Sequence, residues 1–299
     1  MARFSYTFVE PVCFNRKRVR KMTELSKLES LIRSLKESQG KVTVLTGAGI
    51  SAESGIPTFR GPEGYWSVGS KEYRPEQMAT RAMFSLDPWE VWSWYLYRRT
   101  VCRKASPNGG HFAVARLEEI LGDRFRLITQ NVDGLHLLAG NTEKRTFQIH
   151  GNLHFMRCTA ACTDGLFPIP ASIGVKGRNQ PLTQGEKDAL RCPGCRGLSR
   201  PHVLWFDEFY DEHFYRASSA IQWATQSDLL LVVGTAGATT LPMQIGEILS
   251  RKPDAVLIDV NPNPNPFQEL ARAHPKGVVF EAKSGEVLPK VVALWEKSR

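Results

Sequence analysis

Short β-branched and aliphatic runs recur along the chain with longer mixed stretches between them. The first, Lys41–Thr46, reads as a buried parallel strand, and further strands are predicted at Arg124–Gln130, Thr146–Ile149, Asp228–Val233, Ala255–Asp259 and Val278–Phe280. Helical spacing fills the intervals near residues 110–122, 240–251 and 285–297. That alternation predicts an α/β fold, a doubly wound parallel sheet of Rossmann-like type. Ahead of the first strand, Leu25, Leu28, Leu31, Ile32 and Leu35 fall on one helical face, with Glu24, Lys27, Arg33 and Lys36 on the other. An amphipathic helix over residues 23–38 packed on the sheet follows, ended by Gly40. Asp87–Pro88 supplies an N-cap and first-turn proline for a helix to about Arg103, whose Trp89, Trp92, Trp94, Tyr95 and Tyr97 are expected mostly in the core.

Residues 158–195 break this alternation, being rich in Gly and Pro with little periodicity. The expected organisation is a basic, flexible arm at 1–21, a sheet domain from 22–151 and 196–299 with a helical insertion about 61–105, and a small module at 152–195. The module carries Cys158-x3-Cys162 and Cys192-x2-Cys195, separated by 29 residues, the paired spacing that tetrahedral zinc requires. Four thiolates would close the site against water and make the ion structural. Two disulfides, or four merely buried thiols, are the other readings; no secretory signal accompanies the pairs to suggest an oxidising compartment. Cys13 and Cys102 are left over.

The 299-residue chain is 42% hydrophobic and carries a formal charge of +9. Over half of that charge, +5, lies in residues 1–21, so the body is only mildly basic. Such a body suits acidic small molecules, and no specific nucleic-acid partner is expected. No apolar run reaches the roughly 18 residues of a membrane span, and no membrane partner is expected. The basic segment lacks the apolar core of a secretory signal. A targeting peptide, a flexible arm and an upstream extension of the reading frame all fit it; Met22 followed by Thr23-Glu24-Leu25 favours a dispensable arm.

Chemistry gathers where the predicted strands end. After the first strand, Gly47-x-Gly49-x-x-Ala52 fits the G-x-G-x-x-G/A dinucleotide pattern, in which glycines let backbone approach a diphosphate at a helix N-terminus. The acidic residue that pattern needs about 20 positions later is missing. Instead come Pro57, Thr58, Phe59, Arg60 and Gly61, then Pro62 to Trp66, a stretch of turn formers and aromatics that reads as a lid over a cofactor. Thr129-Gln130-Asn131-Val132-Asp133 closes another strand with amide and carboxylate groups able to bond ribose hydroxyls or a carboxamide. Capping of the strand end would use the same groups. His150 follows a third strand just before the cysteine module, where a cleft between domains would lie; a lone histidine is more often structural than catalytic.

Together, Gly47-Ala48-Gly49-Ile50-Ser51, the longer string to Arg60, Thr129–Asp133, Ile149-His150-Gly151, the four cysteines, Arg200–Phe206 and Val233-Gly234-Thr235 resemble, in order, the sirtuin family of NAD-dependent protein deacylases. The resemblance runs from about residue 40 to the C-terminus and is nearest the class III, bacterial CobB-like members. It implies NAD as cofactor, one structural zinc ion, acylated-lysine proteins as partners, a monomer, and a cytoplasmic location of bacterial type, or a mitochondrial one if eukaryotic. In the implied reaction the acyl oxygen attacks C1′ of the nicotinamide ribose and nicotinamide leaves. His150 then acts as general base for a ribose hydroxyl that attacks the imidate carbon, and water finally releases free lysine and O-acyl-ADP-ribose. Asn131 and Asp133 would face the nicotinamide end and Gln130 the ribose. Gly47, Ala48, Gly49, Ala52, Thr58, Phe59, Arg60, Tyr65 and Trp66 would line the cofactor, with Gly234, Thr235, Ala236, Asn261, Asn263 and Ser284 on its further side. Val203, Phe206, Asp207 and Glu208 would pair with substrate backbone as an added strand.

In the members that remove succinyl, malonyl and glutaryl groups, a Tyr-x-x-Arg pair binds the acyl carboxylate; Tyr95 and Arg98 match it, and Ala79 resembles the small residue that widens the acyl channel. Arg98 as a solvated helix arginine is the alternative. Two positions depart from the family. Asp207 stands where Gly is usual, which would bias peptide preference toward basic flanks, and Ala236 stands where Ser is common. The same C1′ chemistry with another nucleophile would give an NAD hydrolase or a mono-ADP-ribosyltransferase. A non-enzymatic NAD-sensing module is the third reading, and His150 argues against it.

Overall fold

A computed structural model describes residues 13–58 and 75–297. The strands are β1 (Val42–Thr46), β2 (Phe125–Thr129), β3 (Thr146–Gln148), β4 (Gly151–Cys158), β5 (Phe167–Pro168), β6 (Ser199–Val203), β7 (Leu229–Val233), β8 (Val256–Val260) and β9 (Gly277–Phe280). The helices are α1 (Cys13–Glu37), α2 (Gly49–Ala52), α3 (Pro75–Met78), α4 (Arg81–Leu86), α5 (Pro88–Lys104), α6 (Gly109–Leu121) and α7 (Leu135–Leu138) in the first half. There follow α8 (Gln184–Ala189), α9 (Glu212–Tyr215), α10 (Ala217–Thr225), α11 (Thr240–Ser250), α12 (Pro266–Ala273) and α13 (Ser284–Glu296).

The six expected strands form one sheet in the order β3-β2-β1-β7-β8-β9, every pairing parallel. Each runs within one residue of its expected limits at either end, because strands covered on both faces must be apolar throughout and so announce themselves as continuous runs. β1, β7 and β8 are buried at all five positions. One face is covered by α1, α6 and α13, through residues such as Leu28, Ile32, Val114, Leu117, Val291 and Trp295. The other is covered by α10, α11 and α12, through Ala220, Ile245, Leu249 and Phe267. Burying a Leu, Ile or Phe side chain contributes about 1.5–3 kcal/mol, so these two layers fix the strand ends from which the loops spring.

Strand order reverses between β1 and β7, the switch point at which ligands of such sheets bind. α1 begins at Cys13, inside the stretch expected to be a flexible arm. Its 25 residues contain neither glycine nor proline, so nothing in the backbone chemistry ends it before Glu37.

A second, three-stranded sheet has the order β5-β4-β6 with antiparallel pairing, and the sequence does not predict these strands. Through β6 this sheet reaches Val203, past the cysteine pairs. The module also shares its core with the helical insertion: Trp92, Tyr95 and Leu96 of α5 pack with Leu153, Met156, Ile173, Leu190 and Trp205. The two insertions therefore make one smaller body. α5 starts as the sequence requires, with the Asp87 carboxylate accepting from Trp89 and Glu90 N–H at 3.1 and 3.0 Å. Lys176, almost fully buried, ties the module together by donating to both Glu186 oxygens at 3.0 and 2.9 Å, while its backbone N–H donates to Thr100 Oγ1 on α5 at 2.9 Å.

Candidate active site

The loops after β1 and β7 lie directly against one another. Gly47 N–H donates to Val233 O at 3.0 Å and Gly49 N–H to Gly234 O at 2.8 Å. A Cβ on Gly49 would stand 2.7 Å from Gly234 Cα, and one on Gly47 would stand 2.8 Å from Thr235 Cα. These glycines therefore serve a loop-on-loop contact as well as the approach of a phosphate, and the helix that follows is the single turn α2. Ala48 is half-buried beside them, and Ala52 is exposed at the end of that turn. Thr58 is half-buried where the described segment ends; Phe59, Arg60, Tyr65 and Trp66, and with them the expected lid, lie outside the described residues.

Beneath these loops the end of β2 presents its polar groups. Asn131 Nδ2 donates to Gly47 O at 3.1 Å and Ser51 Oγ at 3.2 Å, while Ser51 Oγ donates to Asp133 Oδ2 at 2.7 Å. Burial raises the pKa of Asp133, opposed by bonds from Leu135 N–H and the Ser51 hydroxyl. Gln130 Nε2 donates to Thr235 Oγ1 at 2.8 Å, and Thr239 Oγ1 donates to Gln130 Oε1 at 3.1 Å. Asn261, at the end of β8, donates to Thr235 O at 2.8 Å. Gly47, Gly49, Gln130, Asn131, Asp133, Gly234, Thr235 and Asn261 thus meet as one network over the switch point. Ala236 and Asn263 are exposed at its rim. Ser284 stands apart from it: it is buried at the start of α13, and its hydroxyl donates to Glu53 Oε1 at 2.8 Å.

His150 follows β3. Gly151 holds the next position at φ +85°, and a Cβ there would lie 2.2 Å from His202 O, so only glycine permits the turn that brings the imidazole back to β2. His150 Nδ1 lies 3.1 Å from Gln130 O and Nε2 lies 2.8 Å from the Tyr210 hydroxyl. Burial pushes the pKa of His150 down to about 4, against the opposing Gln130 carbonyl. The ring is neutral at pH 7, the state a proton acceptor needs.

The small domain contributes an aromatic wall. Tyr95 is buried, and its hydroxyl accepts from Trp205 Nε1 at 3.0 Å. Arg98 is 5% exposed, its guanidinium 4.6 Å from the Trp94 ring and 5.9 Å from that of Tyr95. It is therefore no solvated helix arginine. Buried Cys102, one turn further on, has its pKa pushed up to about 12, first by burial and then by Asp133, while Arg98 opposes the rise. Ala79 is buried, and its carbonyl accepts from Phe206 N–H at 3.0 Å, which ties the residue to the loop after β6.

In the stretch expected to meet the substrate, Val203 is buried in β6 and paired with Gly151, and Phe206 is exposed. The carboxylates of Asp207 and Glu208 both have partners within the chain. Asp207 accepts from Arg81 and Ala82 N–H at 2.7 and 3.1 Å and so caps α4. A carboxylate held there satisfies orphan amides at a positive helix end and is already engaged when a basic flank arrives. Glu208 is turned inward onto Arg200 Nη2 at 2.8 Å and Trp205 N–H at 3.1 Å, because the buried Arg200 guanidinium needs a counter-charge. Ser51, Thr239 and Tyr210 join the site without having been singled out by the sequence. Ser51 stands inside the Gly47–Arg60 string, and the other two carry no signal beyond their nearness to quoted motifs.

The four cysteines come together with all their sulfurs within 4.8 Å of one another, Cys158–Cys195 at 3.7 Å and Cys162–Cys192 at 3.5 Å, and none is in a disulfide. Four sulfurs about 2.3 Å from a tetrahedral zinc ion stand roughly 3.8 Å apart, so the cluster fits the ion closely. Cys102 is buried away from it as a free thiol.

A parallel sheet reversing at a glycine-lined switch point, a neutral histidine at a strand end and a four-thiolate module define an NAD-binding α/β protein with a structural zinc site. The profile of the Sir2 family matches residues 47–240. An NAD-dependent protein deacylase from Leptospira interrogans serogroup Icterohaemorrhagiae serovar Lai is 40% identical over 252 residues, covering 84% of this chain and 92% of its own. One from Thermus thermophilus is 39% identical over 251 residues, covering 83% and 89%. The crystal structure of a Sir2 homolog–NAD complex superposes with a TM-score of 0.69 at 33% identity, covering 89% of this chain and 93% of that one. The chain belongs to the Sir2 family. Among the described residues no helix is long and apolar enough to cross a membrane.

Proposed function

We propose that the protein is an NAD-dependent protein lysine deacylase that prefers succinyl and malonyl groups and retains some activity on acetyl-lysine. The observation that carries the acyl preference is the buried pair Tyr95–Arg98 on one face of α5, with Tyr95 bonded through Trp205 to the loop that follows β6. A guanidinium held against aromatic rings there offers a charge-assisted bond to an acyl carboxylate, and a hydroxyl lies beside it.

The bond-making end is His150. Its neutral ring takes the proton of a ribose hydroxyl, and the Gln130 carbonyl then stabilises the imidazolium. Asn131, Ser51 and Asp133, linked in one buried network, orient the groups around the scissile ribose–nicotinamide bond, which NAD supplies when bound.

Incubation of the protein and NAD with acetyl-, succinyl- and malonyl-lysine peptides, followed by mass analysis, tests this reading. O-succinyl- or O-malonyl-ADP-ribose and free lysine are expected, with O-acetyl-ADP-ribose in smaller amount. NAD consumption indifferent to peptide would sink it.

A further inference from the structure

The turn after β6 ends at Tyr210, whose ring lies over that of His150 with centroids 5.8 Å apart and planes at 29°. Burial pushes the phenol's pKa up to about 12, so it keeps its proton at neutral pH. On the far side of the imidazole, Nδ1 faces Gln130 O at 3.1 Å, and a carbonyl only accepts. Nδ1 therefore carries the ring proton, Nε2 presents its lone pair, and the phenol donates into that lone pair across 2.8 Å.

The nitrogen that has to receive a substrate proton is thus already engaged by a hydroxyl of the protein itself. We propose that Tyr210 is a positioning residue: it holds His150 in the Nδ1–H form and occupies Nε2 until a ribose hydroxyl of NAD takes the phenol's place. The proposal rests on the deacylase reading for its kinetic part only. In the exchange the ribose O–H bond breaks and an Nε2–H bond forms, leaving an imidazolium held by the Gln130 carbonyl, while the phenol keeps its proton throughout. The turn that carries Tyr210 is tied at its other end by Asp207 to α4, and Phe206 N–H is bonded to Ala79 O. Those bonds hold the start of the segment, so displacement of the phenol is confined to its Tyr210 end. Among the described residues no charged side chain contributes to the shift at His150; burial and the Gln130 carbonyl do.

The test compares the full chain with its Tyr210→Phe variant, ¹⁵N-labelled at histidine and free of NAD, by NMR across pH. The expected results are an Nδ1–H tautomer with a low titration midpoint for His150 in the parent and a higher midpoint in the variant, which lacks the bond favouring the neutral ring. Tyr210→Leu, which removes ring and hydroxyl together, should raise the same midpoint and guards against a folding defect peculiar to one substitution. In turnover, the acid limb of kcat/KM should move to higher pH in Tyr210→Phe. The KM for NAD should fall about two- to tenfold, the worth of one net hydrogen bond released from the free enzyme. An unchanged His150 titration overturns the proposal. So does a fall in kcat with KM held, which would put the phenol in the chemical step. A parent that consumes no acyl-lysine, beside a titration that still shifts, would sink the deacylase reading and leave the Tyr210–His150 contact standing.

Discussion

In the six-stranded sheet the loops of the site are fixed by backbone lying on backbone: Gly49 against Gly234, with strands buried on both faces beneath them. In the smaller domain the loops are held by side chains and thiolates, through Lys176 on Glu186, Arg200 on Glu208 and four cysteines around one point. The first arrangement is made of many small apolar contributions and tolerates the loss of any one. The second adds to its apolar core a few polar contacts and one four-sulfur cluster, each of which pins a particular loop. A site built across the two inherits precision from the sheet and dependence on metal from its neighbour.

The sharpest way to break that contrast is to remove the metal. Chelation, or Cys192→Ser, should cost the small domain most of its folding energy, because structural zinc contributes on the order of 10 kcal/mol. Near-ultraviolet circular dichroism, reporting Trp92 and Trp205, should collapse while most far-ultraviolet signal survives. Loss of both signals together would mean that the two regions stand or fall as one.

Acid should weaken both regions, and more gradually. Burial lowers the pKa of His111 and His150 to about 4, and that of His136 and His202 to about 3, from an ordinary 6.5. Below pH 6.5 the unfolded chain gains protons that the fold refuses, so stability falls until the folded values are reached. Asp259, pushed up to about 7 by burial, acts oppositely: it favours the fold in acid and loses that contribution as the pH rises from 3.8 to 7. Asp133, whose pKa burial also raises, acts in the same direction as Asp259. Four histidines outweigh these two carboxyls, and each uncompensated histidine costs about 1 kcal/mol per pH unit inside its window. The melting temperature should therefore drop between pH 6.5 and 5; a flat curve would show the histidines charged in the fold.

Within the small domain, Arg98→Met should reduce desuccinylation roughly 10- to 100-fold, the value of a charge-assisted bond, and deacetylation far less. Equal losses in both assays would leave Arg98 a structural role alone. On the sheet side, Gly49→Ala forces apart two backbone segments and should cost about 1–3 kcal/mol, read as a lowered melting temperature together with weaker NAD binding by calorimetry. A stable variant that merely fails to bind would show that the glycine serves the phosphate rather than the loop contact. Asp207→Gly should have the smallest effect, about 1 kcal/mol of lost helix cap by denaturant melt, with little change in preference among peptide flanks. A marked change in flank preference would restore Asp207 to the peptide groove.

Legibility in the sequence follows the same division. The strands of the sheet are readable because complete burial demands uninterrupted apolar runs, and the cysteine pairs because tetrahedral geometry demands their spacing. The antiparallel pair β4–β6 is not, since residues such as Arg157 and Arg200, paired across it, carry no apolar period. Arg98 is readable only through resemblance; its burial against Trp94 comes from packing that no local pattern encodes. The partners of Asp207 are not legible, because its position in a motif says where its backbone runs but not which amides its carboxylate will find. Tyr210 meets His150 from 60 residues away, and a contact of that range leaves no trace in either local string.

The junction of β1 with β7 also has a consequence in time. Lys41 N–H is bonded to Asp228 Oδ2, 187 residues further along, and the parallel register of β1 with β7 continues from there. β1, β2 and β3 can assemble from one half of the chain, and β7, β8 and β9 from the other, but the seam between them closes a loop longer than any other joint in the sheet. Contacts of such separation form late and set the pace of folding. Gly49 and Gly234 face each other across that seam, so the cofactor cradle is a product of the slowest step and cannot exist in either half alone.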